Sequence, residues 1–463
     1  MTIIKYGGKI ISNKKRKFNM ILKIDSSAEK AINMLQNNGF KAYAVGGCIR
    51  DIIMEKKPHD YDICTSAKPI QIEKIFEEYK VIETGINHGT VTVIIDSKPL
   101  EITTFRVDGD YSDNRHPEKV EFVTDIKDDL SRRDFTINSM AYCEKDGLKD
   151  FFGGIEDIEK KLIRCVGEPD KRFNEDALRI LRALRFSSEL SFEIEEKTSE
   201  SIIKNRELLK NISAERIAIE LNKLLLGDNV FSVLQKYRDV IAVIIPEFKA
   251  TFDFKQFTKH HCYSVYDHII KSVEQAPKDS ILRLTMFLHD IAKPQCFVKD
   301  DIDGGHFKGH QLPSADMGYT ILKRLKYDST TINEVVELIK EHDNRYPPEK
   351  KAVKRFLSKH NEDFFEKQLT IRRADTLAQS DYMRQQKLEV LDKTYEIGRE
   401  IIRQNECFKI SDLAINGDDL KKAGIKEGKE IGGILNKLLS MVISEEIKND
   451  KTILLEKAKE IIK

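Results

Sequence analysis

Apolar residues recur at every second position, or in dense β-branched runs, through the first third of the chain. KAYAVGG from Lys41, TVTVIID from Thr90 and PLEITTFRV from Pro99 predict strands. IQIEKIFEEY from Ile70 spaces its apolar positions as a helix does. Residues 21–165 therefore predict an α+β domain. From about Pro169 the strand signals nearly vanish. FNEDALRILRALRFSSEL, SAERIAIELNKLLLG and DSILRLTMFLHDIAK carry apolar residues three and four apart, so the remainder predicts helices. Gly227-Asp228 and the stretch 251–259 read as joints. The resulting partition is a basic lead-in at 1–20, the mixed domain at 21–165, a helical neck at 166–228, a helical linker at 229–260, a helical domain at 261–385 and a helical tail at 386–463.

Composition narrows the function. The chain has 463 residues, 78 Lys+Arg against 77 Asp+Glu, and a net charge of +1. That excludes a basic nucleic-acid coat and an acidic tail protein, yet leaves room for a local cationic stripe. No apolar run approaches the roughly 18 residues of a membrane span, so no membrane partner is expected. The N-terminus has no secretory pattern. Cys48, Cys64, Cys143, Cys165, Cys262, Cys296 and Cys407 are odd in number, with no C-x-x-C spacing. They predict small buried apolar residues and a cytoplasmic location.

Candidate chemistry begins at AVGGCIRD, Ala44–Asp51. A strand enters, Gly46-Gly47 turn, and Arg50 lies in the first turn of a helix. Backbone N–H groups at such a turn approach an anion, and Arg50 can fork onto phosphate. HDYDI follows with Asp60 and Asp62 two apart, on one side of a strand. Paired carboxylates call for a cation, and Mg²⁺ prefers carboxylates with phosphate oxygens. Glu101, on the LEITTFR strand, is either a third acidic partner or a solvent-face residue. DDLSRRDFTINSMAY clusters Arg132, Arg133 and Asp134, and Arg133 is the candidate for a triphosphate.

GG-x-x-RD, D-x-D, GINHGTV (Gly85–Val91) and RRDFTIN, in this order, resemble the class II tRNA nucleotidyltransferases, the CCA-adding and poly(A) polymerase family. The likeness continues through TFRVDGDYSDNRHPEKVEFV (Thr104–Val123), DFFGGIEDI (Asp150–Ile158) and FNEDALRILRALRF (Phe173–Phe186). It implies a multidomain fold: an α+β nucleotidyltransferase domain of the DNA polymerase beta superfamily, then all-α neck, HD and tail domains. It implies Asp60, Asp62 and Glu101 as catalytic residues, with Asp60 and Asp62 holding two Mg²⁺ ions. Gly46, Gly47, Arg50 and Arg133 would bind the triphosphate. The implied partners are tRNA, CTP and ATP. An intact loop at Asp108–Pro117 argues against addition of C alone, because in this family such a loop accompanies the switch from C to A.

EDALRILRALR spaces Asp176, Arg179, Arg182 and Arg185 by three, which predicts a slowly curling stripe on one helix. The resemblance implies that Asp176 and Arg179 hydrogen-bond the incoming base. The chemistry agrees: cytosine and adenine each present an amino donor beside a ring-nitrogen acceptor, complementary to a carboxylate beside a guanidinium. Uracil and guanine present the reverse and leave buried groups unpaired, at about 1–3 kcal/mol each. Arg182 and Arg185 are expected to meet phosphates or tRNA.

A second constellation lies on later helices. HHCYSVYDHII carries His268, FLHDIAK carries His289-Asp290, and LTIRRADTLAQ carries Asp375. The order resembles the HD metal-dependent phosphohydrolases, and such a donor set suits Mn²⁺, Ni²⁺, Fe²⁺ or Mg²⁺. His310 and His342 are further candidate ligands. This likeness implies phosphatase or 2′,3′-cyclic phosphodiesterase activity. In the tail, Gly417, Gly424 and Gly428 precede a helix; the segment either offers N–H groups to RNA phosphates or simply packs. The alternatives to CCA addition are a poly(A) polymerase or A-adding enzyme, an HD hydrolase whose first domain only binds nucleotide, and a tRNA-binding scaffold.

Overall fold

The computed structural model describes residues 21–85, 89–109, 120–257, 259–299, 305–424 and 429–462. The chain divides into two compact units: one runs to Asn229 and includes 237–244, and the other comprises 230–236 and 245–463. The lead-in at 1–20, the centre of GINHGTV, Gly428 and most of the loop Asp108–Pro117 lie outside the described residues.

The first unit is built on a seven-stranded mixed sheet. Its strands are β1 (Ala42–Val45), β2 (Asp62–Thr65), β3 (Lys80–Gly85), β4 (Thr90–Ile95), β5 (Lys98–Thr104), β8 (Met140–Cys143) and β9 (Gly147–Asp150), in the order β3-β4-β5-β2-β1-β8-β9. Between β5 and β8 the chain forms a separate hairpin of β6 (Arg106–Asp108) and β7 (Val120–Phe122). β2 and β5 run parallel, placing Asp62 opposite Glu101, while β1 and β2 are antiparallel, placing Val45 opposite Asp62. In β4 half-buried Thr90, Thr92 and Ile94 alternate with buried Val91, Val93 and Ile95, as the period of two requires. The helix Ser26–Asn37 buries Ala28, Ala31, Ile32 and Leu35 at three- and four-residue spacing. Its start is fixed by Asp25, which accepts from the Ser27 N–H.

Three predicted elements are interrupted. The helix expected over 70–79 spans Pro69–Ile75, because Phe76 turns fully into the core and its carbonyl accepts from Tyr79 N–H. PLEITTFRV splits at Phe105, whose N–H donates to Thr65 O while its carbonyl accepts from Val123 N–H. The break that matters most falls at Asp176. The helices Pro169–Glu175 and Leu178–Leu190 flank it, and Asp176 itself is extended (φ −138°, ψ 102°). The single stripe expected from the spacing is thus corrected: Arg179, Arg182 and Arg185 share a helix, and Asp176 stands before it. Its Oδ1 accepts from Leu178 N–H, the local bond by which Asp competes with helical backbone. Gly227 is needed where it lies, since a Cβ there would stand 2.1 Å from Ser188 Oγ.

The second unit is helical. Val265–Gln275, Ser280–Leu288, Gln311–Arg324, Ser329–Glu341 and Glu362–Leu377 carry or flank the predicted HD residues. The tail has its own core: Leu420, Leu438, Leu454 and Ala458 are fully buried between the helices Gly417–Lys422, Lys429–Ile443 and Lys451–Ile462. No helix among the described residues is long and apolar enough to cross a membrane. Cys48, Cys64, Cys143, Cys165 and Cys407 are buried as expected, but Cys262 is exposed and Cys296 half-buried; all seven are free.

Candidate functional site

The first site forms at one end of β2. Asp62 and Glu101 are register partners on neighbouring parallel strands, so their side chains share a face. Asp60 precedes β2, and all three carboxylates reach solvent. The Asp62 carboxyl is nevertheless pushed up to about 6. Desolvation by the surrounding chain is the main cause, Asp60 and Glu101 add repulsion, and Arg133 pulls in the opposite sense. A cation among these oxygens would relieve both effects, so the donor set fits Mg²⁺.

Gly46 closes the other side. Its φ of +82° and ψ of −135° belong to a region that only glycine enters readily. A Cβ there would stand 3.2 Å from Arg133 Nη1 and 3.9 Å from Asp62 Oδ2. The missing side chain therefore lets backbone, guanidinium and carboxylate converge. Gly47 opens the helix Gly47–Ile53.

The cations of this site are oriented from inside the protein. Asp129, fully buried, accepts from Arg132 Nε and Nη2 at 3.0 and 2.8 Å and from Arg133 Nη2 at 3.2 Å. Arg50 donates to Asp51 at 2.7 Å and to Asn138 Oδ1 at 2.8 Å. Asp134 accepts from Arg182 at 2.6 and 2.8 Å; although burial opposes its charge, that pairing holds its carboxyl down at about 2. Arg185, 7% exposed, pairs with Glu220 at 3.2 Å and Glu189 at 3.7 Å. Arg50, Arg182 and Arg185 also surround the Phe186 ring at 5.2, 5.3 and 4.1 Å. Here the expectation that Arg182 and Arg185 face phosphates or tRNA does not fit: their charges are committed to internal carboxylates.

Asp176 and Arg179 are not paired with one another. Asp176 Oδ2 accepts from Arg216 Nη2 at 2.9 Å. Arg179 donates through Nη1 to Glu175 Oε2 and Arg172 O, and through Nη2 to Arg132 O. The chemistry of a base reader survives this arrangement, because Arg179 keeps donors beyond those three bonds. No sequence pattern singles out Asp129, Asn138, Arg216 or Glu220, and Phe186 stands in the sequence only as the end of an apolar helix. Only Asp134 was signalled, by its place beside two arginines.

The second site gathers every predicted HD residue. His268 Nε2 lies 2.9 Å from Asp375 Oδ1 and 3.2 Å from Asp290 Oδ2, and His289 Nε2 is 3.2 Å from Asp290 Oδ2. His310 and His342 join them: their Nε2 atoms are 2.9 and 3.6 Å from Asp290 Oδ1 and 3.1 Å from each other. Every ring has its Nδ1 facing a backbone carbonyl, of Ala378, Met286, Phe307 and Ile339 respectively. Donation there assigns the proton to Nδ1 and leaves Nε2 as a lone pair aimed inward. The Nε2 atoms of His268 and His289 and both Asp290 oxygens are buried without a well-aligned hydrogen bond. Lone pairs converging on lone pairs require protons or a cation. Two ligand groupings share His289: His268–His289–Asp375 and His289–Asp290–His342. The residues thus fit a divalent metal.

Burial works against a charged His289, but Asp290 and Asp375 outweigh it and lift the ring to about 9, so that without a cation a proton occupies the Nε2 position a metal would take. Lys293 is 5% exposed and stands 2.6 Å from Asp290 Oδ2. Its position three residues beyond Asp290, in HDIAK, was the available signal.

Models of known families match segments in both units of the chain. A Poly A polymerase head domain model matches residues 42–164, an RNA- and SrmB-binding site of polymerase A model matches 191–251, and a tRNA nucleotidyltransferase domain 2 model matches 314–458. The CCA-adding enzyme of Lactobacillus helveticus is 32% identical over 431 residues, covering 91% of this chain and 94% of that one. That of Limosilactobacillus reuteri is 34% identical over 437 residues, covering 94% and 96%. Among solved structures, the Bacillus stearothermophilus CCA-adding enzyme in complex with CTP superposes with a TM-score of 0.69 at 26% identity, covering 94% and 96%. A Thermotoga maritima CCA-adding enzyme shares the fold, with a TM-score of 0.60 at 21% identity over 95% and 97%.

Proposed function

The chain belongs to the CCA-adding enzymes, and we propose from this premise that it extends tRNA 3′ ends with C, C and A in the cytoplasm, drawing on CTP and ATP. The observation that carries the assignment of residues is the shared face of Asp62 and Glu101 beside the Gly46 gap and Arg133. Asp60 and Asp62 are the ligands for Mg²⁺, which supplies charge neutralisation on the triphosphate and activation of the attacking hydroxyl. The gap at Gly46 and the N–H of Gly47 receive the triphosphate, and Arg50 and Arg133 hold it. Asp176 and Arg179 present acceptor beside donor to the edge of cytosine or adenine. The tRNA 3′-oxygen bonds to the α-phosphorus as the bond to pyrophosphate breaks. Arg182, Arg185 and Phe186 act one layer out: they fix the helix that carries Arg179.

The histidine cluster supports a second activity, metal-dependent hydrolysis of a phosphomonoester or 2′,3′-cyclic phosphate. Its support is the set of buried Nε2 and carboxylate atoms that converge without well-aligned hydrogen bonds. The cluster holds Mn²⁺, Ni²⁺ or Mg²⁺ in this reading, and Lys293 sets the charge beside Asp290.

Single-nucleotide incorporation on defined tRNA transcripts tests the main reading. Ordered C, C, A addition is expected. Open-ended A addition would make the chain a poly(A) polymerase, and A addition only to tRNA ending in CC would make it an A-adding enzyme. For the second activity, release of 2′-AMP or 3′-AMP from 2′,3′-cyclic AMP under Mn²⁺ or Ni²⁺ is expected; no release with any divalent ion removes it.

A further inference from the structure

Beside the histidine cluster lies a cavity of about 210 Å³ whose wall carries three cations. His342 and Asp375 of the cluster line it together with Arg345, Arg372 and Lys387. None of these three cations belongs to the metal ligand set. Arg372 sits on the helix Glu362–Leu377, one turn before Asp375. Side chains so spaced are about 5–6 Å apart at Cβ, which is the scale of a sugar ring.

The charge of the wall is only partly offset, by Asp375 and, for Arg372, Asp343. Arg372 Nη1 is buried with no hydrogen-bond partner among the described residues. Arg345, exposed at the mouth, stands close enough to repel both Arg372 and Lys387. The acids that line the cavity are Asp343, at the exposed rim, and Asp375, already directed to His268. Lys387 Nζ donates to Gln379 Oε1 at 2.6 Å, and Gln379 Nε2 donates to Asp375 Oδ2 at 2.8 Å. Lys387 is thereby tied to the carboxylate that faces the cluster. Like charges gathered in a partly dry cavity, one with an idle N–H, are arranged for an anion.

We propose that this wall binds a second phosphate of the ligand whose reacting phosphate sits at the histidine cluster. The substrate class is then a nucleoside phosphate carrying another phosphate one ribose away, either a nucleoside bisphosphate or the last nucleotide of an RNA with its 5′ phosphodiester. The proposal rests on the hydrolase reading for the reacting phosphate, but its own test is binding.

Isothermal titration of the full chain, freed of metal, compares adenosine 2′-monophosphate with adenosine 2′,5′-bisphosphate, each in the presence of saturating CTP to occupy the other site. The bisphosphate is expected to bind at least about tenfold tighter, since two or three charge-assisted bonds are added. That ratio falls toward one in Arg372→Gln and in Arg345→Gln; the second variant, at an exposed position, keeps the test valid if the first unfolds. An RNA oligonucleotide ending in a 2′-phosphate gives the other arm, and whichever of the two binds tighter names the source. Equal affinity for mono- and bisphosphate, or a ratio that survives both substitutions, overturns the proposal. A preference for two phosphates without any hydrolysis under Mn²⁺ or Ni²⁺ keeps the cationic wall and removes the hydrolase reading. Hydrolysis without that preference does the reverse.

Discussion

The two sites handle charge in opposite ways. At the sheet end, the carboxylates of Asp60, Asp62 and Glu101 stay in reach of water, while the arginines around them are tethered to Asp51, Asp129, Asp134 and Glu220. In the helical unit, Asp290 and the histidines are buried together beside a half-buried Asp375, with each ring pinned through Nδ1. The first site is a frame whose charges balance only when a nucleotide and its cation arrive together. The second is a prebuilt cage whose Nε2 and carboxylate atoms already converge on one another. A site that must admit both a triphosphate and an RNA end gains from the open design. A site that holds a single cation, as the proposed hydrolase would, gains from being rigid.

Reciprocal substitutions are the hardest blow to this contrast. Asp62→Ala is expected to lower nucleotide addition by at least about 10³-fold and to leave hydrolysis of 2′,3′-cyclic AMP in place. His289→Ala is expected to abolish that hydrolysis and leave C and A incorporation in place. If either variant loses both activities while its melting curve is unchanged, the two sites are not independent and the comparison fails.

Arg179→Ala probes the open site at a finer level. Removing one donor from the base edge relaxes the preference for C and A over U and G by about 10–100-fold, the equivalent of one unpaired buried group. Competition between CTP and UTP on one tRNA substrate measures it, and unaltered selectivity would assign base reading to another residue. Metal titration then weighs one site against the other. For a ligand present at about a hundred times its Kd the native state gains roughly 2.7 kcal/mol. Mn²⁺ should therefore raise the melting temperature of the helical unit clearly, and most of that rise should vanish in His289→Ala. Asp62→Ala should remove little of it, because the open site gathers its ion mainly with nucleotide. A rise abolished by Asp62→Ala instead would reverse the roles of the two sites.

The parts legible in the sequence were those fixed by local pattern. A continuous apolar run marked β1 and alternation marked β4 and β5, the D-x-D spacing marked a strand that in fact starts only at Asp62, and helical apolar runs framed His268, His289, Asp290 and Asp375. What escaped was partnership. A three-residue spacing of arginines looks the same whether the stripe faces solvent or, as for Arg182 and Arg185, closes on Asp134 and Glu220 across many residues. The break at Asp176 was hidden for a related reason: periodicity continues through EDALRILR, and a single side-chain bond to Leu178 N–H decides that the helix restarts. The cationic wall of Arg345, Arg372 and Lys387 comes from three separate segments, and no spacing could announce it.

The smallest expected effect concerns what the open site costs the fold. Asp62 has a folded-state carboxyl raised to about 6 from an ordinary value of 3.8. Desolvation is the first cause, followed by repulsion from Asp60 and Glu101 against the pull of Arg133. A raised pKa means that the folded chain binds the proton more tightly than the unfolded one. The protonated form is therefore the better tolerated, and stability is lost as pH rises from about 4 through about 6. Asp62→Asn carries no charge at any pH. Its metal-free melting temperature should match that of the native chain near pH 4 and exceed it by a small margin at pH 7 to 8. Adding Mg²⁺ with CTP should narrow the gap, since only the native carboxylate gains a cation. An Asn variant that melts lower than the native chain at neutral pH without metal would mean that Asp62 is held by favourable contacts already, and that the sheet-end site is no more open than the histidine cage.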